Sequence, residues 1–246
     1  MKKLTTLALA LTVALATGNL VAVAETPLAG KIIALDAGHG GEECGAQYPA
    51  NSGCEAATIV EKDVNLAVVY ALKDKLESAS AYVVLTRVGD ETMDSRKSRV
   101  DLAIEKCYAQ YLRKCDILVS VHHNGNTEPS HDGTLVIYNE KKDIPLARAL
   151  HDALMVLGLP DEGYLHGGYG MTVYGNLVSA LTEAYYITNT EEAAYYLEGS
   201  PFVAGGRTVL VGARIQQEAD AQILGLSNYF ASQTSGGGGG KGGKPK

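Results

Sequence analysis

Ile32-Ile33-Ala34-Leu35-Asp36-Ala37-Gly38-His39-Gly40-Gly41 decides the fold. Four apolar residues run up to an Asp, and the chain then turns through small residues that present one His. The run has the length and composition of a buried β-strand, and the glycines end it in a loop. Gly38, Gly40 and Gly41 strip side-chain bulk from around His39, so something comes close to that imidazole. Neutral imidazole is the commonest protein ligand for metal ions, and a metal is the natural candidate. A His in a glycine-rich turn is also a common loop residue, so the case depends on what the rest of the chain supplies.

Further strands follow the same logic. Ala81–Thr86, Asp116–Val121, Gly133–Tyr138 and Leu177–Thr182 are short apolar runs. Between them lie helical patterns. One opens at Glu61-Lys62-Asp63 and carries the stripe Val64, Ala67, Val68, Ala71, Leu72 and Leu76, with its acids in the first turn where the helix dipole favours them. Others cover 99–113, 145–157, 190–197 and 208–229. The polar, Cys-bounded stretch 42–60 reads as a surface excursion, and the Gly- and Tyr-rich stretch 163–175 as a loop beside a site. Strands alternating with helices predict an α/β fold: one layered domain with a mostly parallel or mixed central sheet flanked by helices.

Three predicted strands end at a candidate functional residue: His39 after Leu35, His122 after Val121 and Glu183 after Thr182. Sites of open α/β sheets lie beyond the carboxyl ends of strands. Glu61 opens the first helix. Two His and one carboxylate make a hydrolytic zinc site with a position left open for water, and a second carboxylate outside the ligand set provides a general base. His123 competes with His122 on residue type alone, because the strand before them looks buried on both faces.

At these residues the chain resembles the zinc-dependent N-acetylmuramoyl-L-alanine amidases, the Amidase_3 type that includes the cell-division amidases. Ile33–Gly41 looks like that family's first metal motif, and Gly45-Ala46 like its Gly-Ala pair. Glu61-Lys62-Asp63-Val64-Asn65-Leu66-Ala67 is similar to its carboxylate-bearing helix start, and Val84-Leu85-Thr86-Arg87 with Asp90 to its Thr-Arg loop. Ser120-Val121-His122-His123-Asn124 resembles its second His motif, Gly133-Thr134 and Tyr138 its next strand, and Gly225–Phe230 its closing helix. Thr182-Glu183 with Asn189 is similar to the segment bearing its catalytic Glu.

The resemblance implies Zn²⁺ on His39, Glu61 and His122, with Glu183 as catalytic base. It further implies hydrolysis of the amide between N-acetylmuramic acid and L-alanine of peptidoglycan. On physical grounds Asp36 and Asn124 are candidates to orient the His ligands or to cap a turn. Departures from the family pattern are the longer Cys-bounded loop, Tyr185-Tyr186 where Gly-Phe is usual, Ala103-Ile104 where Ala-Asn is usual, and a Cys-flanked insertion before the third strand. The Tyr-rich motif and the longer loop motivate one alternative, an exported zinc metallopeptidase or amidase acting on another substrate. A second alternative is a catalytically silent wall-binding module, against which the retained ligand positions and Glu183 count. Wall cleavage needs control, so a protein activator is an expected partner, and the Cys-bounded segments are candidate control elements.

Met1-Lys2-Lys3, an apolar stretch to Ala24 and the exit Ala22-Val23-Ala24 have the parts of a secretory signal peptide over 1–24. The expected destination is the periplasm or cell envelope, with no stable membrane insertion after cleavage. The full chain carries net charge −7; removing two lysines from 21 cations leaves 19 against 28 acids, or −9. That argues against a nucleic-acid binder, whose footprint is a basic face. Cys44, Cys54, Cys107 and Cys115 all follow the signal, where disulfides persist; sequence economy pairs Cys44 with Cys54 and Cys107 with Cys115. Zinc on these cysteines is disfavoured by the lack of Cys-x-x-Cys spacing. His131, His151 and His166 read as ordinary loop or helix residues, and Tyr164, Tyr169, Tyr174, Tyr185 and Tyr186 as space-fillers or sugar-stacking rings. The catalytic domain is expected over 25–232, followed by a disordered Gly/Lys-rich tail over 233–246.

Overall fold

In a computed structural model of the protein, residues 26–168 and 170–235 are described. The expected signal peptide, the glycine–lysine stretch from residue 236 and Tyr169 lie outside them. The order is β1 (Ile32–Ala37), β2 (Gln47–Tyr48), β3 (Ile59–Val60), α1 (Glu61–Ser78), β4 (Tyr82–Leu85), α2 (Arg96–Tyr111), β5 (Ile117–Asn124), β6 (Thr134–Tyr138), α3 (Ile144–Leu154), β7 (Asp161–His166), β8 (Val178–Tyr186), α4 (Thr190–Leu197), β9 (Ser200–Ala204), β10 (Arg207–Val211) and α5 (Ala213–Ser235). Short 3₁₀ turns stand at Met155–Leu157 and Gly170–Thr172.

Among the described residues, six strands form one mixed sheet in the order β4-β1-β5-β8-β6-β7. Strands β4, β1, β5 and β8 run parallel, β6 runs antiparallel to β8, and β7 is parallel to β6. Side chains alternate across the sheet. Ile33, Leu35 and Ala37 of β1 join a large core with α1, α3 and α5, while Ile32 and Ala34 join a smaller one with Val100, Ala103 and Cys107 of α2. Both faces are covered, which is why β1 and β5 read as continuous apolar runs rather than alternating ones. No described helix is long and apolar enough to cross a membrane.

The structure corrects several sequence expectations. β5 and β8 run on past Val121 and Thr182, to Asn124 and Tyr186, so His122 and Glu183 are strand residues rather than the first residues after a strand. The stretch expected to be a loop from Gly163 begins inside edge strand β7. Its apolar signal is weak because most of it is partly or fully exposed, and Gly163 at φ +82° interrupts it. The helix expected from Thr208 starts at Ala213. Residues 200–211 form the β9–β10 hairpin around Gly205-Gly206, both at positive φ, as a two-residue hairpin turn requires. Arg207 anchors that hairpin to α1 through paired bonds to Asp63, 2.7 Å each. The stretch 42–60 contains the small β2–β3 ladder. α2 begins at Arg96, not Arg99, because Ser95 and Ser98 form a reciprocal capping box. At the other end α5 continues to Ser235, three residues into the expected tail. Both expected disulfides, Cys44–Cys54 and Cys107–Cys115, are formed.

Candidate metal centre and active site

Parallel pairing places the candidate residues side by side. Ala37 of β1 is in register with Val121 of β5, and His122 of β5 with Glu183 of β8. His39 follows β1 in the left-handed region, φ 60°, a conformation uncommon outside glycine and one that clusters at functional sites. Gly38 is tight against the second His: a Cβ there would lie 2.3 Å from His122 Cε1 and Nε2. Gly38→Ala is therefore expected to push the His122 ring aside. Metal affinity measured by competition with a chelator should fall by at least about 10-fold, the scale seen when a group that orients a ligand is lost.

Glu61, at the start of α1, is buried between the two rings. His39 Nε2 lies 3.0 Å from Oε2 and His122 Nδ1 3.0 Å from Oε1. One ligand-capable atom from each residue falls within a 4.8 Å cluster, so the three could hold a metal ion. The carboxylate is fixed by donors besides the imidazoles: the Ala46 amide at 2.8 Å on Oε2, and the His123 amide at 3.1 Å and Asn65 Nδ2 at 3.2 Å on Oε1. Burial opposes its charge, but hydrogen bonds from His122 and His39 outweigh burial and hold Glu61 well below the ordinary carboxylate range.

Glu183 has the opposite environment. Burial, and next the neighbouring Glu61 charge, push its carboxyl well above the ordinary range. Its Oε2 is buried with no hydrogen-bond partner. Two carboxylates whose surroundings drive them apart in this way mark divided acid–base roles. An unpartnered buried oxygen beside three convergent donors also suits a water held by a cation.

The His39 loop is stitched down by two buried arginines. Arg87 donates to the carbonyls of Ala37 (2.8 Å), Gly38 (3.0 Å) and Lys62 (2.7 Å). Arg99 donates to Asp36 Oδ1 and the Ala37 carbonyl, 3.0 Å each, and to the His39 carbonyl. Asp36 is fully buried and also accepts from Thr86 and Ser120. Burial raises its pKa, yet Arg99 and the two hydroxyls together hold it below the ordinary value.

The expectation that Asp36 and Asn124 orient the imidazoles is not met. No hydrogen bond joins either side chain to His39 or His122 among the described residues; Asp36 anchors arginine, and the Asn124 carbonyl accepts from the Ile187 amide. Asn65, Ala46 and the two arginines do the positioning. The Asn65 signal was present as an amide one turn after Glu61, on the same helix face. His123 is occupied elsewhere: its two ring nitrogens face Asn65 Oδ1 (2.7 Å) and Glu218 Oε2 (2.9 Å). His131 and His151 pair with Glu162 and Asp161, and His166 packs near Tyr138, all apart from the cluster. Tyr185 is buried against His123, and the Tyr186 hydroxyl donates to Glu162, so neither ring is an open stacking platform.

Comparison with known proteins shows the family. The family profile described as N-acetylmuramoyl-L-alanine amidase (Amidase_3) matches residues 33–200. The chain is 27% identical over 175 residues to N-acetylmuramoyl-L-alanine amidase LytC of Bacillus subtilis, covering 69% of this chain and 32% of LytC. It thus spans about a third of that relative's length. It is 30% identical over 217 residues to the uncharacterized protein YqiI of the same organism, covering 85% of this chain and 89% of YqiI. The catalytic domain of CwlV, an N-acetylmuramoyl-L-alanine amidase from Bacillus (Paenibacillus) polymyxa, superposes with TM-score 0.62 at 25% identity, over 83% of this chain and 98% of that one. With its fold and more than half its length matched, the chain belongs to the N-acetylmuramoyl-L-alanine amidase family Amidase_3.

Proposed function

We propose that the protein is an exported peptidoglycan hydrolase that cleaves the amide between N-acetylmuramic acid and the L-alanine of the stem peptide. One observation carries the proposal: Glu183, whose Oε2 has no partner, lines one cavity with His39 and His122, and both of those imidazoles bind the Glu61 carboxylate.

His39, Glu61 and His122 hold Zn²⁺ in this scheme. Zn²⁺ held there would supply a Lewis acid for the scissile carbonyl and for a water whose pKa it would lower to about 7. Glu183 takes one proton of the attacking water and passes it to the leaving amine, so that the alanine departs as a neutral amine and the lactyl group as a carboxylic acid, which releases the water's second proton to solvent and becomes the carboxylate. Asn65 and the Ala46 amide keep the Glu61 carboxylate aimed between the two rings, and Arg99 and Arg87 keep the His39 loop in place. A retained proton carrier and complete ligand set favour this scheme over a silent wall-binding module.

The test is product identification. Purified walls digested with the zinc-loaded protein should yield new L-alanine amino termini and new lactyl carboxyls in equal amounts. A different new terminus would assign the site to another amide. No new terminus from zinc-loaded protein would refute hydrolysis.

A further inference from the structure

The first turn of α2 is rich in cations: Arg96, Lys97 and Arg99 stand there without an acid. The partial positive charge of a helix N-terminus disfavours cations, so helix stability does not account for them. Two are neutralised within the fold. Lys97 pairs with Asp101 one turn on, and Arg99 with buried Asp36. Arg96 has no ion pair or hydrogen bond among the described residues. Its stem is nevertheless placed: it runs against Gly170 of the 3₁₀ turn, where a Cβ would come within 2.5 Å of Arg96 Cδ and 2.6 Å of its Cβ. The lack of a side chain at position 170 makes room for this arginine.

Arg96 lines the same cavity, about 230 Å³, as His39, His122 and Glu183. The other ionisable groups on that wall are the proposed ligands His39 and His122, the proposed proton carrier Glu183, Glu43, and the mutually neutralised Asp36 and Arg99. Outside the proposed zinc ligands, Arg96 is the cation of that wall with no acid paired to it among the described residues, so it is the side chain there that can receive a substrate carboxylate lying beside the scissile amide.

We infer that Arg96 is a specificity residue: it receives a carboxylate that the substrate carries within a residue or two of the scissile amide, and so selects stem peptides with a free acid there over their amidated forms. This rests on the amidase function proposed above. The second residue of a stem peptide carries such a carboxyl group, either free or amidated. A guanidinium meets a carboxylate with a planar two-donor fork and full charge. The amidated form keeps an acceptor and loses the charge.

The experiment compares two muramoyl-peptides that differ only in acid against amide at the second residue, with zinc-loaded wild type, Arg96→Gln and Arg96→Lys. Wild type should favour the acid by about 10–100-fold in kcat/KM, the worth of a charged hydrogen bond, mostly through KM because the contact forms on binding. Arg96→Gln should bring that ratio to about one, and Arg96→Lys should keep an intermediate ratio. A residue that merely starts the helix would change both substrates in parallel and leave the ratio alone. A wild-type ratio near one, or an Arg96→Gln ratio equal to wild type, overturns the inference. If wild type hydrolyses neither peptide, the amidase proposal fails, and calorimetric binding of the same pair decides here: acid-selective binding lost in Arg96→Gln supports the inference, and equal binding of acid and amide overturns it.

Discussion

Glu183→Gln should lower kcat by about 10²–10⁴-fold, the usual contribution of a positioned proton carrier, with bound metal unchanged. Glutamine keeps the size and shape of the side chain but cannot accept a proton from water or return it to an amine. The swap breaks no internal bond to Oε2, because that oxygen has no partner. It also removes a carboxyl whose ionisation is resisted by burial and by Glu61. A raised folded pKa contributes stability below the unfolded value of 4.5 and loses it as pH climbs through the folded one. The metal-free Gln variant, which stays uncharged, should therefore melt no lower than wild type at neutral pH. Steady-state kinetics, elemental analysis and melting curves separate these effects. Activity within about 10-fold of wild type would remove Glu183 from the proton transfer.

Arg99→Ala should cost about 3–5 kcal/mol of stability, the range for removing one partner of a buried ion pair. Asp36 is fully buried and Arg99 nearly so, and no water replaces the lost guanidinium cheaply. The same guanidinium binds the carbonyls of Ala37 and His39, so the variant also loses a tie on the loop that presents the first imidazole. The pH dependence has a definite sign. Asp36 sits below its ordinary 3.8 in the fold, so its contribution is present above that value and is lost as pH falls through the folded one. The gap between wild type and Arg99→Ala should be widest near neutrality and narrow in acid. Denaturant unfolding of the metal-free proteins measures it, and a gap below about 1 kcal/mol, typical of exposed pairs, would show that the pair is not a buried support of the site.

The central strands were readable because they are buried on both faces. β1 and β5 each join both cores, so their sequences are uninterrupted apolar runs that stop at small or polar residues. The candidate site was readable because its proposed donors lie at the ends of those runs or at the start of the next helix. What was missed lies where the local pattern is weak or the partner is remote. β7 is an edge strand broken by Gly163. The β9–β10 hairpin is tied to the chain by Arg207 and Asp63, 144 residues apart. The Ala46 amide that pins Glu61 belongs to a backbone group and leaves no mark on residue type. Asp36 reads equally well as a loop cap or a group that orients a ligand; only the fold brings Arg99 to it from 63 residues away. The neighbouring histidines 122 and 123 were separated by the register of β5 on β8 and by Glu218 arriving from α5.

The central claim is that His39, Glu61 and His122 form a zinc site, and metal content tests it most directly. Elemental analysis of the purified chain and of His39→Ala, each exposed to zinc and desalted, should find one zinc per chain in the wild type and nearly none in the variant, while circular dichroism shows both folded. A folded wild type that retains no zinc, or a His39→Ala protein that retains it in full, would contradict the claim.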